Sequence, residues 1–346
     1  MINLNKNPYI LTKDKKSSYI LKSQKKLIFH HNSNSKEYKK IVNIKNISKI
    51  KELNNLPFVS INLFKELNLS SIKKKYQFKI LTSSGTSGKL STITLDKQTA
   101  SFQKEALITI TKNFLGKDRM PMLVVDNEEI LKNKKSFSAR AAAILGFSIF
   151  GSDRHFVLDN KFEINYKKLN DFLLKYKNQN ILIFGFTYLI WKYLIKDNNI
   201  KINNKCIILH GGGWKRMQDI SVGNHSFKKE LNKKININKI INYYGMVEQV
   251  GSIFMECENG FFHCSDFSDI IIRDVNFNPL PFGNKGIIQM LSILPHSYPG
   301  HNILTEDLGV IHGEDDCKCG RRGKYFSVLG RIPNSEIRGC SDTNNS

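Results

Sequence analysis

Seven consecutive residues, Ser83-Ser84-Gly85-Thr86-Ser87-Gly88-Lys89, join hydroxyls, two glycines and a lysine directly after the apolar run FKIL. Glycine lets the backbone come close to a phosphate, while hydroxyls and main-chain N–H groups donate to its oxygens. The nucleoside-triphosphatase P-loop places four residues between its glycines before the lysine, and this segment does not. Taken alone it reads equally well as a Gly/Ser turn. Further on stand Gly211-Gly212-Gly213, Tyr244-Gly245-Met246-Val247-Glu248, Thr305-Glu306-Asp307-Leu308-Gly309 and Gly330-Arg331. One by one these are ordinary: a buried Tyr, a surface Glu, a turn Asp.

Four of the six cysteines form two clusters, Cys257 with His263-Cys264 and Cys317-Lys318-Cys319-Gly320. Clustered thiols in a cytosolic chain favour metal binding or catalysis over disulfides. Two thiolates one residue apart on a Gly turn, with another Cys and a His, supply a tetrahedral Zn²⁺ donor set: Cys257, His263, Cys317 and Cys319. The spacing is not that of a standard finger, and reduced buried thiols are the alternative. Cys206, in an apolar run, reads as core. Cys340 stands six residues from the last in a small, polar tail, where a thiolate is a ready nucleophile. Arg338 nearby favours the thiolate.

The elements that must position these residues follow from periodicity. FKIL reads as a strand entering the Gly/Ser loop, and STITLDKQTASFQKEALITITKNFL as a strand and then a helix. PMLVVD, ILIFGF, CIILHGGG and INYYG are apolar runs separated by amphipathic or small-residue helices, which predicts α/β layering with a mostly parallel sheet. Beyond Gly251 the texture turns strand-like, so a β-rich subdomain is expected. In the first 75 residues, IVNIKNISKIKELNNL (41–56) spaces Ile and Leu at helical intervals, predicting a helix packed on a larger body. Phe184, Phe186 and Tyr188 read as plain core or as the lining of an acyl channel.

In this order the motifs resemble the acyl-adenylate-forming superfamily: its phosphate loop, its Tyr-Gly-x-x-Glu and Thr-x-Asp-Leu-Gly motifs, and its hinge at Gly330-Arg331 and Ile337-Arg338-Gly339. LHGGGWK, YYGMVEQVGSIFMEC, SYPGHNILTEDLG and EIRGCSDT are similar to the acyl-protein synthetase (LuxE-type) family, which supplies acyl groups to a fatty-acid reductase in bioluminescence. The resemblance covers residues 75 to 346 and implies the large N-terminal domain of an adenylate-forming enzyme, layered sheets and helices with a β-rich subdomain. The implied division is a helical extension (1–75), an adenylate-forming core (76–330) and a hinge remnant with a cysteine tail (331–346). Only 15 residues follow Arg331, so the C-terminal subdomain usual in the superfamily, with its catalytic Lys, is expected to be absent.

The resemblance implies ATP and Mg²⁺ as cofactors. Ser83, Ser84, Gly85, Thr86, Ser87, Gly88 and Lys89 would cradle the β and γ phosphates, and Glu248 would hold Mg²⁺ through hard carboxylate oxygen. Asp307 would take the ribose hydroxyls, Gly211, Gly212 and Gly213 would line the adenine pocket, and Tyr244, followed by Gly245, would stack on the base. Lys89, Lys215, Arg331 or Arg338 would supply the catalytic cation, and Cys340 would carry the acyl thioester. The Cys-x-Cys-Gly-Arg segment also resembles phenylacetate–coenzyme A ligases, some of which hold zinc there. His210 and His301 lie near the motifs, but adenylation starts from an ionised carboxylate and needs no base.

Charge narrows the classes. The 346 residues carry 53 Lys+Arg against 30 Asp+Glu, a formal net charge of +23. Only nine of the basic residues are Arg, and Lys is spread beside abundant Asn and Ile, the residues of A/T-rich codons. A nucleic-acid reader would show Arg forks and a basic stripe with aromatics, so no nucleic-acid partner is expected. The longest apolar run, Ile181 to Ile195, contains Lys192 and is shorter than a membrane span, and the charged N-terminus is unlike a signal peptide. The expectation is a cytoplasmic ligase with fatty acid as substrate and an acyl reductase or acyl-carrier protein as partner in a hetero-oligomer. The competing readings are a coenzyme A or carrier-protein ligase of another pathway, such as surface polysaccharide modification, and a catalytically silent scaffold.

Overall fold

A strand covered on both faces reads as a near-continuous apolar run, as MPMLVV and ILIFGF do here. In the computed structural model, which describes residues 7–83, 89–132, 136–197, 200–214 and 222–332, the strands Met120–Asn127 and Ile181–Phe186 are buried throughout. They lie in the unit formed by Phe114–Tyr244. Among the described residues five parallel strands make its sheet, in the spatial order Gly151–Leu158, Met120–Asn127, Ile181–Phe186, Ile202–Gly211, Ile235–Tyr244. In chain order that is 2-1-3-4-5, a doubly wound arrangement whose ligand crevice lies beyond the carboxyl ends of the strands. Those ends carry Phe186, Gly211 and Tyr244.

The other unit combines Met1–Asn113 with Gly245–Ser346. Its described sheet is antiparallel, in the order Ser268–Arg273, Gly286–Ser292, Asn302–Glu314, Lys324–Arg331, Phe262–His263, Phe254–Glu256. Lys324–Arg331 pairs only with residues 307–314 of its neighbour, and the two-residue strand Val59–Ser60 pairs in parallel with Ile303–Leu304 on the remaining edge. The expected β-rich part is present, and the protein is mixed α/β.

The N-terminal helix Lys13–Asn34 docks on this sheet through polar side chains. Buried Gln24 donates to the carbonyls of Ser292 (2.8 Å) and His301 (2.9 Å), and buried Lys16 to that of Cys264 (3.1 Å). Each such bond satisfies a main-chain carbonyl that burial would otherwise strand. Residues 41–56 correct an expectation: they form no continuous helix. A short helix ends at Ile41, and 3₁₀ turns follow at Ile47–Lys49 and Leu53–Asn55. Asn43 Oδ1 accepts from Lys45 N (2.9 Å) and Asn46 sits at φ +65°, so Asn side chains divert the backbone from the helix its Ile spacing suggests.

Candidate functional site

Glu248 lies on a single 3₁₀ turn, Val247–Gln249, and is 5% exposed. Gln249 fixes that turn by donating to the carbonyls of Met290 (3.1 Å) and Gly300 (2.8 Å). Gly300 must be glycine, because a Cβ there would stand 2.5 Å from the Glu248 carbonyl oxygen. Burial raises the Glu248 carboxyl pKa; the Ser91 hydroxyl beside it and the positive charges of Lys65 and Arg331 draw it partly back. No cation stands within ion-pair distance of this carboxylate among the described residues. A desolvated carboxylate of that kind fits a hard divalent ion.

Ser91 also closes the phosphate loop at its base. Its amide donates to Ser83 Oγ and its carbonyl accepts from Ser83 N, both at 3.0 Å. Lys89, at the far end of the loop, is exposed and pairs with Glu66 at 2.6 Å. Ser84, Gly85, Thr86, Ser87 and Gly88 lie outside the described residues.

In the same unit, Asp307 and Arg331 are direct partners in the antiparallel register, with Arg331 Nε 3.9 Å from Asp307 Oδ1. Thr305 shapes the approach: its hydroxyl donates to the Ile288 carbonyl (2.7 Å) and accepts from Asp307 N (3.1 Å). The register shifts between Leu308 and Gly309, where a Cβ would meet the Ser327 carbonyl oxygen at 2.7 Å. The structure thus gathers Ser83, Glu248, Asp307 and Arg331 into one unit, joined by Lys65 and Ser91, which motif reading missed. Lys65 sits in LFKELN, with no signal beyond its charge.

In the Phe114–Tyr244 unit, Gly211, Gly212 and Gly213 follow the strand end in turn. A Cβ on Gly211 would stand 2.6 Å from the Tyr243 ring, and one on Gly212 would collide with Phe186. Gly212 and Gly213 take φ +77° and +61°, which side chains rarely adopt. Strand alternation buries Tyr243 against Phe147 and Phe184 and leaves Tyr244 partly exposed on the opposite face. Phe184 is therefore core. His210 is buried, its Nδ1 3.0 Å from Thr187 Oγ1, with its pKa lowered to about 3 by burial and by Lys228.

The second constellation lies wholly in the antiparallel unit. The ligand atoms of Cys257, His263, Cys317 and Cys319 all fall within 4.8 Å of one another. Cys257 Sγ is 4.0 Å from Cys317 Sγ, and Cys319 Sγ is 3.3 Å from His263 Nε2. A disulfide needs about 2.05 Å, so the thiols are separate. Tetrahedral zinc with Zn–S near 2.3 Å and Zn–N near 2.05 Å sets S–S edges of about 3.8 Å and S–N edges of about 3.6 Å, each within about 0.3 Å of the observed separation. Burial pushes the Cys257 thiol up to about 12, and burial with the charges of Arg321 and Lys16 lowers His263 to about 4. Arg321, held by Asn113 and Glu258, faces Cys319 and offers positive charge to a thiolate set. Cys206 is fully buried, as expected of core, and its thiol is pushed up to about 12 by burial. Cys340, Lys215 and Arg338 lie outside the described residues.

A profile of the acyl-protein synthetase LuxE family matches residues 2–346. Among characterised proteins, a long-chain-fatty-acid–luciferin-component ligase of Vibrio harveyi is 20% identical over 342 residues, covering 94% of this chain and 86% of that protein. The ligase of the same name from Aliivibrio fischeri is 23% identical over 296 residues, covering 82% and 76%. Among solved structures, an open 2-hydroxyisobutyryl-CoA ligase superposes with a TM-score of 0.70 at 14% identity, over 96% of this chain and 81% of that one. ATP-bound MatB from Rhodopseudomonas palustris gives 0.51 at 14% identity, over 75% of this chain and 49% of its own. These likenesses place the fold among the adenylate-forming ligases. No described helix is long and apolar enough to cross a membrane.

Proposed function

Because the chain belongs to the acyl-protein synthetase (LuxE) family, we propose that it is an ATP-dependent ligase that activates a fatty acid as acyl-AMP and carries the acyl group on Cys340. The observation that supports this most is the buried Glu248 carboxylate, flanked by Ser91 at the base of the phosphate loop and sharing a unit with Asp307 and Arg331. The fatty-acid carboxylate attacks the α-phosphorus of ATP, a C–O–P linkage forms, and pyrophosphate leaves. The Cys340 thiolate then attacks the acyl carbonyl and AMP departs, leaving a thioester for delivery to an acyl reductase.

Mg²⁺ held by Glu248 would neutralise phosphate charge. Ser83 to Lys89 surround the β and γ phosphates, and Asp307 accepts from the ribose hydroxyls. Arg331, half exposed beside Asp307, adds positive charge. The small surface of Gly211 to Gly213 leaves room for the adenine base, and the partly exposed Tyr244 stacks on it. Such fixed groups act by positioning and electrostatics, the main terms in phosphoryl chemistry. Within this reading residues 76–330 are the activating core, the enzyme works in the cytoplasm, and its reductase partner forms a hetero-oligomer with it.

Cys257, His263, Cys317 and Cys319 hold a structural zinc ion in the same reading, supported by their tetrahedral-edge separations. Activation is tested by fatty-acid-dependent exchange of labelled pyrophosphate into ATP. Exchange that requires long-chain fatty acid supports the proposal, and no exchange with any fatty acid removes it.

A further inference from the structure

We propose that Lys65 is a further catalytic cation of this site, its ammonium contacting the phosphate oxygens of ATP beside Glu248 and stabilising the departing pyrophosphate. The proposal rests on the adenylation reading above and adds a residue that none of the motifs contains.

The placement of Lys65 follows from a short chain of contacts. Val59–Ser60 pairs with Ile303–Leu304, and Ile61 N donates to the Leu304 carbonyl at 2.9 Å. Asn62 Nδ2 donates to Glu306 Oε1 at 2.7 Å, so the segment runs beside residues 305–307 of the strand Asn302–Glu314. One helical turn, Leu63–Glu66, then buries Phe64 edge-on to Tyr298, 6.3 Å between centroids. Tyr298 and Gly300 flank Glu248, and Lys65 is the first of the two cations whose charge acts on the Glu248 carboxyl, ahead of Arg331.

Lys65 is only partly exposed, and its ammonium forms no hydrogen bond or ion pair with any described residue. Its neighbour Glu66 instead holds Lys89 at 2.6 Å. A lysine without a partner, near a buried carboxylate that it does not contact, leaves its positive charge available to an anion. A polyphosphate lying between the two would take that charge on one side and a Glu248-bound cation on the other. During activation the α-phosphorus gains a bond to the fatty-acid carboxylate and loses its bond to pyrophosphate, so negative charge grows on the leaving oxygens. A fixed ammonium at that point favours the transition state over the ground state.

The test uses the full chain and fatty-acid-dependent ATP–pyrophosphate exchange in the wild type, Lys65→Ala and Lys65→Arg, with thermal unfolding recorded for each. The expected result is a fall of about 100-fold in exchange for Lys65→Ala with an unchanged unfolding midpoint. Lys65→Arg, which keeps the charge, should retain more than about a tenth of the wild-type rate. Added ethylamine should restore Lys65→Ala in a saturable way, a response that lost packing would not produce. Wild-type exchange that persists undiminished in Lys65→Ala overturns the proposal alone. A loss in Lys65→Ala that neither arginine nor ethylamine relieves also overturns it, whereas a wild type without exchange removes the adenylation reading and this proposal with it.

Discussion

Asp307 and Arg331 face each other across an antiparallel strand pair, with Nε 3.9 Å from Oδ1, and the arginine is 52% exposed. An ion pair that open contributes about 0–1 kcal/mol to stability. Arg331→Ala should therefore unfold within about 1 °C to 3 °C of the wild type while slowing pyrophosphate exchange. Asp307→Asn should raise the KM for ATP by about 10-fold through weakened ribose hydrogen bonds. Equal KM values in Asp307→Asn and wild type would contradict the ribose assignment.

Glu248 separates activity from stability. Burial raises its folded pKa above the ordinary 4.5, so its contribution to stability is fully present below that value and is lost as pH rises through the raised pKa. Glu248→Gln removes that loss while keeping the shape. The variant should exchange pyrophosphate at least about 100-fold more slowly, yet gain stability relative to wild type between pH 5 and pH 8. Paired thermal scans at the two pH values measure the gain, and a relative loss at pH 8 would show that the buried carboxylate is not destabilising.

A stacked pair of buried histidines should set the acid limit of the fold. His31 and His301 lie 4.8 Å apart with interplanar angle 21°, among His30, His296, Tyr38 and Ser71. Burial lowers His301 to about 3, and burial with the neighbouring histidines lowers His31 well below 6.5. The unfolded chain binds protons first, so stability present above pH 6.5 declines as pH falls toward the folded values, by up to about 1.4 kcal/mol per pH unit for each histidine. His301→Gln should flatten the decline between pH 6 and pH 4 in urea titrations; an unchanged slope would rule out this pair as its source.

The cysteine cluster predicts about one zinc per chain in protein purified without chelators. Cys317→Ser and Cys319→Ser should each lose the metal and lower the unfolding midpoint by roughly 10 °C. Metal analysis showing no zinc, with midpoints unmoved by either substitution, would mean that the four groups are simply reduced, packed side chains.

What sequence makes legible here is contiguous. Glu248, Asp307 and the glycine run each sit inside a short motif, and apolar runs such as Ile181–Phe186 declare strands covered on both faces. The N-terminal segment carries no such signal. Helix Lys13–Asn34 docks by Lys16, Gln24 and His31 bonding to main-chain carbonyls, and these alternate with buried Ile20, Leu27 and Ile28, so its inward stripe is half polar and reads weakly. Val59–Ser60 is too short for alternation, so the segment that carries Lys65 to Glu248 is visible only in the fold. The four zinc-ligand candidates were nameable from residue type, but 60 residues separate Cys257 from Cys317, and only the pairing of Phe262–His263 with Tyr325–Phe326 explains their approach.

Acyl transfer to the protein's own thiol is the step most directly open to measurement. Wild type and Cys340→Ala are incubated with ATP, Mg²⁺ and labelled long-chain fatty acid, then denatured and treated with hydroxylamine, while pyrophosphate exchange is followed in parallel. The expected result is hydroxylamine-labile label on the wild-type chain, none on Cys340→Ala, and equal pyrophosphate exchange in both. Labile label that persists on Cys340→Ala, or a wild type that exchanges pyrophosphate without ever becoming labelled, would contradict acyl carriage by Cys340.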